Sequence, residues 1–173
     1  MNFYVIQLIG FAGTVIYFFS FQFKSNKALF RTQFLSYLIY TIHLCLLGAV
    51  TGGISYMINT FRSLCLGSRF SWAKSPWMCA LLCVLQLATL ALTWNGWLSL
   101  LPVTANIAST LAGYTFHARK IRLVTMLVNS PLWIIYNAMV GSWAGILDEV
   151  VSEASVIVSF VRYGWKNLDF VEK

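Results

Sequence analysis

An all-α membrane protein is the expected fold, with seven transmembrane helices arranged as two parallel three-helix bundles joined by a linker helix. Composition, an alternation of apolar runs with basic breaks, and a duplication within the chain all lead there. Of 173 residues, 59% are apolar and only 10% charged, against roughly 45–50% and about 25% in a soluble domain. So few charges cannot coat a globule, and most apolar side chains must face lipid. Spans of about 20 residues use nearly the whole length, which leaves no room for a separate soluble domain.

Apolar runs cover 3–23, 30–47, 51–66, 77–94, 98–116, 123–140 and 143–163, each long enough for a membrane helix. The breaks between them are of two kinds, and they alternate. Lys24, Lys27 and Arg31 fall in the first break, Arg62, Arg69 and Lys74 in the third, Arg119, Lys120 and Arg122 in the fifth, and Arg162, Lys166 and Lys173 in the tail. The intervening breaks, at Gly48 to Gly53, Asn95-Gly96 and Gly141-Ser142, contain no basic residue. Cytoplasmic loops retain Lys and Arg, so the N-terminus is expected outside, the C-terminus inside, and the number of spans odd. Trp77, Trp94, Trp97, Trp143 and Trp165 lie near the predicted span ends, where an indole anchors a helix in the headgroup region. The start, Met1-Asn2-Phe3-Tyr4, lacks the basic region of a cleaved signal peptide, so the first run is expected to persist.

A formal charge of +7 does not point to nucleic acid, because the basic residues sit in short clusters between apolar runs. The expected partners are the lipid bilayer and a small-molecule solute. Cys45, Cys65, Cys79 and Cys83 lie in or beside apolar runs without a Cys-x-x-Cys pair. Neither a disulfide framework nor a metal site is expected, and no cofactor is implied.

Superposing Gly48 on Gly141 also brings Gly52 onto Gly145, Lys27 onto Lys120 and Phe23 onto Phe116. Ser36, Tyr40 and His43 then meet Asn129, Trp133 and Tyr136, and Asn59 meets Ser152. Spans one to three therefore read as duplicated in spans five to seven. The single linker span between them gives both units the same direction. The corresponding divisions are 1–66, a loop and linker helix over 67–97, 98–163, and a cytoplasmic tail over 164–173.

Several stretches carry a family likeness: Leu47-Gly48 through Gly52 to Asn59 and Arg62, then Leu100-Leu101-Pro102-Val103 with Ile107, Ser109 and Thr110, and finally Trp133, Asn137, Gly141-Ser142, Gly145, Glu149 and Arg162. The plan resembles the MtN3-like group that contains the SWEET sugar facilitators and the PQ-loop proteins. More closely, the chain is similar to the YgjV family of bacterial inner membrane proteins. This resemblance implies a multi-pass protein with a periplasmic N-terminus and a cytoplasmic C-terminus, whose helix triplets face each other across a cavity opened to each side in turn. The Pro-Gln pair of PQ-loop proteins is absent: the matching positions read Phe21-Gln22-Phe23 and Tyr114-Thr115-Phe116. Pro102 and Pro131 are both in the second unit, so only there can a missing backbone donor ease a bend.

Ser36, Tyr40 and His43 share one face of the second span, and Asn129, Trp133 and Tyr136 repeat the spacing in the sixth. Twin polar-aromatic stripes suit a shared solute cavity, with interhelical hydrogen bonding as the alternative. Asn59, about 12 Å into the third span, and its counterpart Ser152 complete the cavity candidates. No acid precedes Asp148, and Asp148, Glu149 and Glu153 fall in the seventh span. A carboxyl at membrane depth is costly and marks function by default. Glu149 and Glu153, on one face, are the proton-coupling candidates, with a static pair to His43, Arg62 or Tyr136 as the alternative. Asp148, about 8 Å from the outer end, is expected to be hydrated.

The basic clusters are read as topology signals and headgroup contacts, with Arg62 or Arg162 as an optional inner gate. Gly10 and Gly13 are read as lipid-facing small residues that would allow a homodimer, although a single chain suffices for the fold. A carrier for a small polar solute is the expected function. The alternative is a non-transporting receptor, sensor or assembly module. No nucleophile–base arrangement or phosphate loop supports an enzyme, and no catalytic residue is assigned.

Overall fold

The computed structural model describes residues 2–164, and among them every regular element is helical. The helices are α1 (Phe3–Ser20), α2 (Asn26–Leu46), α3 (Val50–Gly67), α4 (Pro76–Leu92), α5 (Leu100–Gly113), α6 (Ala118–Val140) and α7 (Trp143–Tyr163). Local chemistry sets several boundaries. The Asn2 side chain accepts from the Tyr4 amide, Ser75 from Met78 with Pro76 in the first turn, and Ser142 from Gly145, each satisfying a donor that has no partner within its helix. Gly48 and Gly141 end α2 and α6 in the left-handed region, at φ +74° and +73°. These two glycines occupy positions that the expected repeat relates, and both follow a helix end in the same conformation.

The helices follow the apolar runs closely, with two informative differences. α2 begins at Asn26 and α6 at Ala118, one turn earlier than the apolar runs. Lys27, Arg119 and Lys120 are thus helical, because an apolar run marks the hydrocarbon layer while the backbone helix continues past it. Within α6, residues Thr125–Asn129 widen into a π turn just before Pro131, where the ring's missing N–H interrupts the regular ladder. Pro102, near the start of α5, leaves no such irregularity.

The packing is inside-out relative to a soluble globule. Gln7, His43, Asn59, Gln86, Asn106, Asn137 and Asp148 are buried, whereas Leu8, Val15, Phe61, Val84, Leu127 and Ile157 are exposed. Among the described residues only α1 and α6 are individually long and apolar enough to cross a bilayer, with α4 apolar but shorter; α5 is shorter still, and α2, α3 and α7 carry polar inward faces that lower their hydropathy. Trp77, Trp94, Trp97 and Trp143 are exposed at helix ends, as expected of anchors. Trp165, Lys166 and Lys173 lie outside the described residues.

Six helices close into a ring in the order α1, α2, α3, α5, α6, α7 and back to α1, while α4 packs outside on α3 and α5. Gly10 and Gly13 are buried inside this ring, not exposed to lipid. A Cβ on Gly10 would lie 2.9 Å from the His43 ring and one on Gly13 2.8 Å from Tyr40. Hydropathy locates a small residue in a span but not the face it presents, and here both glycines let α1 approach α2 and α7.

Candidate functional site

The centre of the ring is filled by aromatic side chains from four helices. Tyr40 of α2 stacks on Tyr56 of α3 with centroids 5.3 Å apart, and Tyr56 contacts Trp133 of α6 at 4.5 Å. Trp133 meets Tyr136 edge-on at 5.4 Å, and Tyr37 and Tyr17 extend the column inward from Tyr56. Such pairs contribute about 0.5–1.5 kcal/mol each beyond simple burial, so the column plugs the centre of the ring.

Polar atoms around the plug are tied to backbone and side chains of neighbouring helices. The Tyr40 hydroxyl lies 2.7 Å from Thr14 Oγ1 and donates to the Ala144 carbonyl at 3.1 Å. Tyr136 accepts from the Gly52 amide at 3.0 Å. Trp133 Nε1 and Asn59 Nδ2 both donate to Asn106 Oδ1, at 3.2 and 2.7 Å. His43 Nδ1 is 2.9 Å from the Ile6 carbonyl, which can only accept, so in the neutral ring Nε2 accepts from the Ser142 hydroxyl 2.8 Å away. Five predicted residues, Tyr40, His43, Asn59, Trp133 and Tyr136, therefore converge on one network. Ser36 donates to the Gly13 carbonyl, and Asn129 accepts from Ser109, so these two sit beside the network. Ser152 is buried with its hydroxyl unpartnered.

Asp148 was expected to be hydrated, yet it is 1% exposed, like Glu149. Depth along a helix does not reveal lateral cover, and α1 covers the start of α7: Gln7 accepts from the Ala144 amide, and Thr14 packs beside the same turn. The Asp148 carboxyl lies beside the Thr14 and Tyr40 hydroxyls, and that of Glu149 beside Ser130 and Asp148. Asp148 Oδ1 and Glu149 Oε2 have no hydrogen-bond partner. Glu153 is only half-buried, so the central acidic pair is Asp148 with Glu149. The static pairs with His43, Tyr136 or Arg62 are not formed; each of those side chains is bonded elsewhere.

Two of the basic residues are not headgroup contacts. Arg122 is fully buried, and its guanidinium donates to Ser159 Oγ and to the carbonyls of Phe21 and Phe23, clamping the C-terminal end of α1 to α6 and α7. Arg62 is 3% exposed on α3. Proximity to a basic break made both look interfacial; the helix face that each occupies carries it into the interior.

A cavity of about 420 Å³ opens at the end of the ring marked by Gly48 and Val140, between α3, α4, α5 and α6, with Thr51, Thr93, Asn95, Ser99 and Tyr136 among its walls. Tyr136 thus separates it from the aromatic column. Asn106, Gln7, Thr14 and Tyr56 were missed as site residues. The first three are polar residues inside apolar runs, the signal that singled out Asn59.

A family model described as a bacterial inner membrane protein, Imp-YgjV, matches residues 4–167. The chain belongs to this family. No curated protein and no solved structure matches it. The family description agrees with the inside-out packing of this YgjV-family chain, and the bacterial inner membrane is where it resides.

Proposed function

We propose that this YgjV-family protein carries a small polar solute across the inner membrane by exposing its central site to each side in turn, with protons moving through Asp148 and Glu149. The observation that supports this most directly is that acidic pair, buried side by side without a cation among the described residues. Burying a charge without a partner costs several kcal/mol, and Asn and Gln would fill the same space without that cost. Carboxyls at this depth are therefore placed for exchange chemistry.

The ring supports an architecture that suits alternation. Contact of α1 with α7 has its repeat counterpart in contact of α5 with α3, as for two three-helix units about a pseudo-two-fold axis with α4 as linker, the SWEET-like plan. One chain supplies all the ring helices, so the proposed working unit is a monomer, and the cycle includes no chemical step. The packed centre favours a second reading, a receptor or assembly module that never opens.

One experiment separates the two. In a background with Cys45, Cys65, Cys79 and Cys83 replaced, single cysteines at Asn59, Ser152, Tyr40 and Trp133 are treated with an impermeant thiosulfonate in right-side-out and inside-out vesicles. Labelling of Asn59→Cys and Ser152→Cys from both sides is expected. Labelling from one side alone would favour the receptor, and none at all would overturn alternation. If protons pass through the pair, Glu149→Gln removes the pH dependence of this labelling, and an unchanged pH profile would exclude Glu149.

A further inference from the structure

Arg62 is a buried cation whose hydrogen-bonding capacity is largely unspent. Nη1 reaches Thr110 Oγ1 at 3.4 Å and Nη2 reaches the Tyr37 hydroxyl at 3.5 Å, both long, while Nε has no partner. The guanidinium carbon also sits 5.8 Å from the centroid of the Tyr37 ring. No carboxylate pairs with Arg62 among the described residues. A guanidinium carries five N–H donors and no acceptor, so this arrangement leaves a positive charge without an opposite partner.

Beside it lies a small cavity of about 10 Å³, room for the centre of roughly one water-sized particle. Tyr17, Gln33, Tyr37, Arg62, Ser109 and Thr125 supply its polar wall, from α1, α2, α3, α5 and α6. Ser109 and Thr125 already donate, to Asn129 and to the Ile121 carbonyl. The Tyr37 hydroxyl donates to Tyr17 at 3.2 Å. On that wall Arg62 Nε–H is a donor without a partner, and the Tyr17 hydroxyl, which accepts from Tyr37, keeps its own hydrogen to give. No acidic side chain lines the cavity. A buried guanidinium with an unpartnered N–H selects against cations, and a neutral solute would leave its charge uncompensated.

We propose that Arg62 and this cavity form a binding site for a compact monoanion, either a halide or the carboxylate of a short organic acid, seated on the Nε edge of the guanidinium. As a statement about solute class it rests on the carrier reading, since a whole organic acid needs the inner ends of the helices to part. As a statement about binding it stands without it. Helices from both repeat units contribute, so an anion here would bridge the two halves of the ring.

The test is thermal unfolding of the full chain in detergent at constant ionic strength, with sodium gluconate replaced stepwise by sodium bromide, chloride, formate or acetate. A saturable rise in the unfolding temperature with at least one of these anions is expected, lost in Arg62→Gln and partly kept in Arg62→Lys. An equal rise in Arg62→Gln, or no response of the wild-type protein to any of the four, would overturn the site and assign the cavity to water. Should Arg62→Gln not fold, Gln33→Leu replaces it, with at least a threefold weaker midpoint expected and an unchanged midpoint counting against the proposal. Saturation by formate or acetate but not halide would identify a carboxylate ligand, whereas halide alone would identify a resident ion. Two-sided cysteine labelling without any anion response would leave the carrier standing and remove the anion; anion binding with one-sided labelling would do the reverse.

Discussion

At Gly52 a methyl group would lie 2.6 Å from the Tyr136 ring and 2.8 Å from its hydroxyl, and that hydroxyl accepts from the Gly52 amide. The glycine is therefore required by close approach and not by backbone conformation. Gly52→Ala is expected to cost about 1–3 kcal/mol through overpacking, read as a lowered unfolding temperature in detergent; an unchanged temperature would mean that the Tyr136 plug yields freely. Its repeat partner Gly145 meets the Asn137 side chain in the same way. That these glycines correspond was legible from the repeat alone. What each one touches was not, because a matching position says nothing about the neighbouring helix. Asp148 shows the same limit: counting residues from the helix end placed it near water, and the covering α1 removed it.

Among the helices, α6 is the irregular one. Its π turn over Thr125–Asn129 precedes Pro131, while α2, its repeat counterpart, runs without a break. A π turn at a proline is a common place for a helix to flex. Restoring the backbone donor in Pro131→Ala should regularise the turn and slow amide exchange across 125–131 by about tenfold, about 1.4 kcal/mol of local opening free energy. Unchanged exchange would show that the turn is held by packing on α5 and α7. The prolines located the asymmetry between the two units in advance. They did not locate the widening itself, which depends on how α6 accommodates its neighbours.

For the molecule as a whole, the polar interior and apolar exterior agree with a bilayer as solvent, and the alternation of basic and non-basic breaks sets an expected direction. Alkaline phosphatase fused after Gly48, Gly96 or Gly141 should be active, and fused after Lys24, Lys74 or Lys120 inactive, with a fluorescent protein at the C-terminus emitting. The reverse pattern would invert the topology and place the 420 Å³ cavity on the cytoplasmic side. Six helices of one chain close the ring on themselves.

Helix number, approximate boundaries and family membership can all be read from the residues in order, because each depends on residue identity, hydropathy and spacing along the chain. Convergence of Tyr40, Asn59, Trp133 and Tyr136 was foreseeable in outline for the same reason. The aromatic plug, the burial of Asp148, Arg62 and Arg122, and the inward turn of Gly10 and Gly13 were not. Each depends on which face of one helix meets which face of another, and in a membrane the same apolar pattern serves lipid contact and helix contact alike.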